Sequence, residues 1–198
     1  MMPTSETLLP LTPDQGNSLV SLARNTLRNH FGEPVAPADD AALAQLSHIH
    51  RGTFVTLTLG GQLRGCIGNL VSTGSIVAGV HDNALKAAFH DPRFSPLTRK
   101  ELDQVHVEVS VLTDPSPFSY QDGADLAARL RPGIDGVIIR KGRFGATFLP
   151  QVWEQLPTPD LFLSHLCRKA GLPENQWQKG DLTVLTYQAQ YFEEAKKR

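Results

Sequence analysis

The sequence predicts an α+β protein with a mixed or antiparallel sheet, built from hairpins and packed helices. Short segments of strand periodicity follow one another across tight glycine turns, and helical patterns stand between them without a regular βαβ alternation. Residues 104–113 alternate between valine and polar side chains, which is typical of an antiparallel strand with one buried face.

The composition is that of a soluble globular protein. The chain has 198 residues, of which 40% are hydrophobic and 20% charged, and this length is enough to bury a sizeable core. The net charge of -1 favours neither nucleic acid nor any strongly charged partner. Two cysteines make no disulfide framework, and no stretch approaches the roughly 20 apolar residues that span a bilayer. Residues 1–12 lack the features of a signal peptide, so we expect a cytoplasmic protein without a membrane segment.

Helix signals organise the first part of the chain. Thr12, Pro13 and Gln15 form a capping-box pattern, which predicts a helix that ends near Gly32. A short helix is predicted over 41–46 and a longer one over Ile76–Phe89, which Asp91 and Pro92 terminate. Residues 1–11 are expected to be a flexible lead-in.

The central feature is a hairpin. Thr53–Leu59 has strand periodicity, Gly60 and Gly61 suit a tight turn, and a second strand begins at Gln62. A side-chain period of two then places Arg64, Cys66 and Gly68 on the same face. Because a neighbouring guanidinium lowers the pKa of a thiol, the pattern predicts a reactive Cys66. Gly65 and Gly68 remove side-chain bulk, so that either another backbone or a ligand can come close there; they are the candidate cofactor-binding positions, although no particular cofactor is indicated.

Further elements follow in order. Thr98 and Glu101 resemble a capping box and predict one helical turn before the strand at 104–113. The remaining predictions are helices at 125–130, from Pro150, and from Thr158 to Gly171, strands at 136–140, 144–149 and 182–190, and a charged tail at 193–198.

Several readings of these residues stay open. Cys66 is either a small packed side chain or a functional thiol, for which Glu108 or His106 is the candidate base. Glu108 can instead pair with Arg64, which is the commoner arrangement. His48 and His50 share a strand-like spacing, but the chain lacks a zinc-type motif, so we expect no metal.

Two other features favour structural readings. Cys167 lies among apolar helix positions, which indicates core packing. The turn around Arg140, Lys141, Arg143 and Phe144 is basic and aromatic, but a solvated turn is favoured over a nucleic-acid site.

A family resemblance emerges from the order of six motifs. They are Thr53-Phe54-Val55-Thr56-Leu57, Leu63-Arg64-Gly65-Cys66-Ile67-Gly68, Asp91-Pro92-Arg93-Phe94, Glu108-Val109-Ser110-Val111-Leu112, Pro132-Gly133-Ile134-Asp135-Gly136-Val137 and Thr147-Phe148-Leu149-Pro150-Gln151-Val152. From about Leu11 to Phe192 the chain resembles the AMMECR domain family, in the form called the AmmeMemoRadiSam system protein A type. The resemblance implies a single α+β domain over residues 12–192, with a larger and a smaller lobe around a cleft lined by the Leu63-to-Gly68 motif.

The resemblance also implies partners, namely a Memo-like protein and a radical SAM protein. Two functional hypotheses follow. In the first, the chain is an enzyme or enzyme component: Arg64 binds a small anionic ligand, Cys66 is a nucleophile or redox thiol, and Glu108 orients the ligand or accepts a proton. In the second, the chain is a non-catalytic partner or carrier, and the Cys66 motif is a recognition or modification site.

Overall fold

The computed structural model describes residues 10–35 and 39–195. The chain divides into two compact units, one formed by Met1–Val111 with Gln190–Arg198 and the other by Leu112–Ala189. The helices are α1 (Pro13–His30), α2 (Asp40–Leu46), α3 (Ile76–Phe89), α4 (Gly123–Arg129) and α5 (Pro159–Lys169). The strands are β1 (Thr53–Leu59), β2 (Gln62–Asn69), β3 (Val105–Leu112), β4 (Ser116–Pro117), β5 (Gly136–Lys141), β6 (Phe144–Phe148), β7 (Thr183–Tyr187) and β8 (Ala189–Glu193). The α+β prediction is confirmed.

The first unit packs helices against one antiparallel sheet of order β2-β1-β3-β8. The alternating valines of β3 are buried on the face that meets α1 and α3, as the period of two predicts. Helix α1 begins with the predicted capping box, in which the Thr12 and Gln15 side chains each accept from the other residue's backbone N–H. The cap of α1 and the alternation of β3 each depend on a few neighbouring residues, so local signals were sufficient to predict these two elements.

The second unit contains a sheet of order β4-β7-β5-β6, with α5 packed against its apolar face. The β5–β6 turn is Gly142-Arg143; Gly142 has a φ of 56°, the left-handed value that a glycine at the first turn position provides. The helix predicted from Pro150 is a short 3-10 helix, Pro150–Glu154.

The prediction of a single last strand at 182–190 is wrong. The chain leaves β7 after Tyr187 and enters β8 at Ala189, so the segment contributes to both sheets in turn. At the crossing, Thr113 N–H donates to the Gln188 carbonyl and Gln188 N–H donates to Thr113 Oγ1, each at 2.9 Å. Continuous β-periodicity gives no sign of a strand that changes sheets.

The terminal segments are partly outside the described residues. The predicted lead-in falls largely there, but Leu11 is buried and exchanges hydrogen bonds with the Gln190 side chain. In the predicted charged tail, Glu194 forms an ion pair with Arg24 at 2.6 Å. Arg24 also donates to the carbonyls of Leu102 and Val105. Leu11 and Glu194 are therefore fixed parts of the first unit.

Candidate functional site

The candidate site lies on β2, which is an edge strand of the first sheet. The hairpin pairs Cys66 with Thr56 on β1, and Thr56 in turn pairs with Glu108 on β3. Gly60 and Gly61 have φ values of 58° and 78°, the two positive values that a type I′ turn requires. Cys66, Thr56 and Glu108 therefore form one cross-strand row, on the sheet face opposite the buried valines.

A β-bulge interrupts the hairpin at Arg64. Leu57 pairs with Gly65 while Thr58 pairs with Leu63, so Arg64 is the extra residue on β2. A bulge redirects the side chain of the extra residue. The Arg64 guanidinium binds Glu101 through Nε at 2.8 Å and Nη2 at 3.1 Å, and Nη1 donates to the Ser95 carbonyl.

The expected partner of Arg64 is thereby corrected. Its carboxylate partner is Glu101 rather than Glu108, because the bulge directs the guanidinium to the 95–101 loop. Both side chains are mostly buried, and Arg64 holds the pKa of Glu101 down at about 2. Glu101 also accepts from Thr98 N–H, which is one half of the predicted capping box, and from Thr98 Oγ1. Residues 99–104 form hydrogen-bonded turns, including the helix-like bond from Val105 N–H to the Glu101 carbonyl. Arg64 is thus a bridge between β2 and these turns.

The backbone of Cys66 is held by Asp91 and Arg93, which follow α3. Cys66 N–H donates to Asp91 Oδ2 at 2.9 Å, and Arg93 Nη2 donates to the Cys66 carbonyl at 3.2 Å. The Asp91 carboxylate is almost fully buried and also accepts from Arg93 N–H, Nε and Nη2. We call this arrangement the Asp91–Arg93 clamp. It satisfies both outward backbone groups of Cys66, which an edge strand otherwise leaves open.

The clamp also determines what the Cys66 side chain meets. Since its backbone groups point away from β1, Cys66 faces Thr56 as a non-hydrogen-bonded pair, in which side chains approach most closely. Thr56 Oγ1 donates to Cys66 Sγ at 3.3 Å. The thiol is half-buried, and burial raises its pKa above the usual value; the Thr56 hydrogen bond and the Arg93 charge oppose this rise, whereas Asp91 and Glu108 add to it.

The expectation that Arg64 lowers the pKa of Cys66 is therefore wrong. The cation that acts on the thiol is Arg93, and it does not outweigh burial. The resting thiol is protonated at neutral pH. Of the two candidate bases, His106 is hydrogen-bonded to Glu193 through Nε2 at 3.0 Å, whereas Glu108 belongs to the same row as Cys66.

Gly65 and Gly68 have packing roles. A Cβ on Gly65 would lie 2.1 Å from the Ala87 carbonyl oxygen of α3, and one on Gly68 would lie 2.2 Å from the Phe54 ring. The space into which each side chain would project is filled by the chain itself. Of the two alternatives, the close approach of another backbone is confirmed at Gly65, and on that side of the strand neither glycine leaves space for a cofactor.

A cavity of about 520 Å³ opens farther along the sheet. Its lining includes Thr58, two residues beyond Thr56, and His106, two residues before Glu108. Because alternate residues share a face, the Thr58 and His106 side chains lie on the same sheet face as the row of Cys66, Thr56 and Glu108, in the neighbouring cross-strand pair. A small ligand in this cavity would therefore lie beside the same sheet face as the thiol.

The other sequence candidates lie elsewhere. His48 and His50 are in the loop before β1 rather than on a strand. Cys167 is fully buried in α5 within the core of the second unit. In the described part of the chain, no three His, Cys, Asp or Glu side chains converge as metal ligands.

Sequence reasoning missed Thr56, Asp91 and Arg93 as site residues. One signal for Asp91 was available. A carboxylate just after a helix C-terminus meets the negative end of the helix dipole, so its presence there calls for a nearby cation or N–H donors. Arg93 follows two residues later and supplies the cation.

Comparison with known proteins places the chain in a family. The AMMECR1 family model matches residues 20–192, a span that contains β1–β3, the clamp and nearly all of both sheets. The chain belongs to the AMMECR1 family.

AMMECR1 relatives of known sequence include several archaeal proteins. A protein of Methanothermobacter thermautotrophicus is 38% identical and is matched over 93% of this chain and 97% of its own length. One of Methanosarcina mazei is 36% identical over 93% of this chain and 94% of its own. The crystal structure of the uncharacterised protein PH0010 from Pyrococcus horikoshii superposes with a TM-score of 0.81 at 33% identity, covering 93% of each chain. The AMMECR1 fold of this chain is therefore shared with a solved structure.

The length and hydropathy of the helices bear on membrane insertion. Within residues 10–35 and 39–195, none has the combined length and apolarity needed to cross a bilayer.

Proposed function

We propose that this AMMECR1-family protein works with a Memo-like protein and a radical SAM protein, and that the sheet face around Cys66 is its functional site. The supporting observation is the position of Arg93. Its guanidinium is fixed by a buried carboxylate next to the Cys66 backbone, yet 54% of its side chain is exposed. A fixed, accessible cation beside a thiol is suited to a small anionic ligand.

The role assigned to Arg64 by the sequence passes to Arg93 in this proposal. Arg64 is occupied by Glu101 and by loop carbonyls and is mostly buried, so it has little capacity for a ligand. Arg93 holds the anionic group of the ligand at the sheet edge. The cavity near Thr58 and His106 provides further volume along the same face.

Cys66 is the reacting thiol in this proposal. Because burial keeps the thiol protonated, a base must take its proton as the sulfur bonds to the ligand. Glu108 is the base and acts through the Thr56 hydroxyl, which lies between the two residues in the row, because two strand spacings put Glu108 about 10 Å from Cys66. The electron pair of the S–H bond becomes that of the new bond from sulfur, and the proton passes through the Thr56 hydroxyl to Glu108. On the ligand, the bond that breaks is either the one to a leaving group, which departs with the electron pair, or a π bond, whose electron pair moves to the neighbouring ligand atom.

Alkylation of single-cysteine variants tests the proposal. Cys167→Ser leaves only Cys66, and Cys66→Ser leaves only Cys167; iodoacetamide rates are measured for both from pH 6 to 10. We expect Cys66 to react about tenfold faster or more at pH 7, because Cys167 is fully buried. Equally slow reaction of the two folded proteins would refute a functional thiol.

Three further variants, in the Cys167→Ser background, separate the roles. Arg93→Gln should slow alkylation by raising the pKa of Cys66, and Glu108→Gln should slow it at pH 7 by removing the proton acceptor. Faster alkylation of Glu108→Gln would mean that Glu108 acts only as a nearby negative charge and would overturn its role as the base. Inorganic phosphate should slow alkylation by occupying Arg93. That protection should survive in the control Arg143→Gln, which changes an exposed cation of the second unit, and disappear in Arg93→Gln.

A second candidate function is that of a non-catalytic partner or carrier, which the raised pKa of Cys66 favours. In that case Cys66→Ser retains the complex with purified Memo-like and radical SAM proteins. Substitution of Leu63, which is 43% exposed on the same strand, with Glu abolishes it. A recognition surface on this strand is contradicted if Cys66→Ser and Leu63→Glu both lose the complex. It is equally contradicted if both variants retain the complex.

A further inference from the structure

The outer edge of β6, in the second unit, presents backbone groups for pairing. Lys169 Nζ donates to the Thr147 carbonyl at 3.0 Å, so this carbonyl points away from β5. Alternate residues of an antiparallel strand direct their backbone groups the same way, and Gly145 therefore also presents its N–H and C=O outward. Gly145 is exposed, and no backbone group among the described residues pairs with this edge.

The two edges of this sheet differ. The opposite edge, β4, has two residues, one of which is Pro117 and cannot donate a backbone hydrogen bond. Strand β6 has five residues, contains no proline and is sheltered at Thr147 by one flexible ammonium group. Of the two, β6 is the edge that can accept an additional strand.

Cations surround this edge. Arg140 pairs with Gly145, and a Cβ at Gly145 would lie 3.4 Å from Arg140 Cγ, so the Arg140 side chain extends over the edge strand. Arg143 stacks on Phe144, and Lys169 lies over Phe148. Neither Arg140 nor Arg143 has an ion-pair partner in the part of the chain that the structure describes. The edge therefore has a local excess of positive charge, although the whole chain has a net charge of -1.

An apolar contact accompanies the charges. Phe144 is 39% exposed, and its ring stands close to Gly171, where an added Cβ would lie 3.5 Å away. An exposed aromatic side chain beside an open strand edge provides a contact for one apolar side chain of an incoming peptide.

We propose that the β6 edge binds an extended acidic segment of a protein partner by strand addition. The partner pairs with the outward backbone groups of Gly145 and Thr147, while its carboxylates meet Arg140, Arg143 and Lys169. Lys169 then exchanges the Thr147 carbonyl for a carboxylate of the partner. The proposal is independent of the Cys66 site and of the function proposed for it.

A synthetic peptide tests this surface. The probe is a fluorescent ten-residue peptide in which Glu alternates with Val or Thr, and binding is followed by anisotropy. Two controls have Lys in place of every Glu, or Pro at alternate positions to remove backbone donors. We expect binding of the acidic peptide alone, weakening as salt rises from about 50 to 500 mM because the charges are exposed.

Substitutions in the protein distinguish strand pairing from simple charge attraction. Gly145→Pro removes the outward N–H, whereas its matched control Gly145→Ala adds a Cβ but keeps the N–H. We expect Gly145→Pro to weaken binding about tenfold and Gly145→Ala to leave it nearly unchanged. Arg140→Glu combined with Arg143→Glu should weaken it by at least about tenfold. Circular dichroism and thermal unfolding confirm that each variant is folded.

Backbone amide chemical shifts locate the peptide. On its addition, the largest changes should occur at Gly145 and Thr147. Binding that is insensitive to Gly145→Pro, or shifts confined to another strand, would overturn strand addition. A single-stranded oligonucleotide serves as an alternative anionic probe. If the protein binds the oligonucleotide but not the acidic peptide, or binds neither of them, the proposal of an acidic protein segment as partner is overturned.

Discussion

The edge strands β2 and β6 solve the same physical problem in different ways. Each must protect backbone groups that face away from its sheet. On β2, a buried carboxylate and a guanidinium engage both backbone groups of Cys66. On β6, one flexible ammonium group meets the Thr147 carbonyl. The first edge is closed by a buried ion pair and the second by an exposed ammonium group.

The difference indicates which atoms each edge can offer to another molecule. At Cys66 the backbone is already satisfied, so only the thiol and the exposed part of Arg93 remain available. At β6 the backbone itself is available. A site for small-molecule chemistry therefore suits β2, and a site for a polypeptide suits β6.

The glycines of the two edges give the largest expected contrast. Gly65→Ala should lower the free energy of unfolding by about 3 kcal/mol, because its Cβ would lie 2.1 Å from the Ala87 carbonyl oxygen and α3 would have to move. Gly145→Ala meets backbone only at 3.2 Å and should cost less than about 1 kcal/mol. Guanidinium unfolding measures both. Equal losses would mean that β2 is no more tightly packed than β6.

The Asp91–Arg93 clamp should give the next largest effect. Asp91→Asn should cost about 2 kcal/mol, because it removes a buried charge that accepts four hydrogen bonds. Amide hydrogen exchange at Cys66 should accelerate. The matched control is Asp135→Asn, which removes a similarly buried carboxylate bound to Arg131 in the second unit. It should also destabilise the protein but leave exchange at Cys66 unchanged.

A pH dependence of stability should report the ion pair at the β2 bulge. Because Arg64 lowers the pKa of Glu101 to about 2 in the folded state, the pair stabilises the protein above the ordinary glutamate pKa. This contribution is lost as the pH falls from about 4.5 to 2. With allowance for partial exposure, it should amount to about 1–2 kcal/mol. The difference in unfolding free energy between wild type and Glu101→Gln should shrink over this window; a constant difference would contradict the assignment.

The smallest effect on stability is expected at the β6 edge. Lys169→Met should change the free energy of unfolding by less than about 0.5 kcal/mol, since the ammonium group is exposed. It should nevertheless promote self-association, because an uncovered edge strand pairs with other chains. Light scattering at rising protein concentration measures this. The control Lys100→Met changes an exposed lysine of the first unit and should stay monodisperse.

Most elements were predictable because their signals are local. The capping box of Thr12 and Gln15, the Gly60-Gly61 turn and the alternating valines of β3 each require only a few neighbouring residues. The β2 bulge is different. Arg64 leaves the regular alternation because its partner is Glu101, 37 residues away, and periodicity contains no information about that contact.

The candidate site was predictable in its position but not in its electrostatics. Cys66 and Glu108 do share a row, which follows from two short-range strand patterns and their pairing. The cation beside the thiol comes from Arg93, 27 residues along the chain, after an intervening helix. The sign of the pKa change depends on burial, which requires the packed structure.

The ion pair between Arg24 and Glu194 has a consequence for the order in which the two units fold. It joins the first helix to a residue 170 positions later, and β8 completes the first sheet only after the whole second unit has been made. Contacts so distant in sequence form late, because closing a long loop is entropically unfavourable. The second unit is continuous in sequence and can fold from its own residues, whereas the unit that carries Cys66 stays incomplete until β8 joins its sheet.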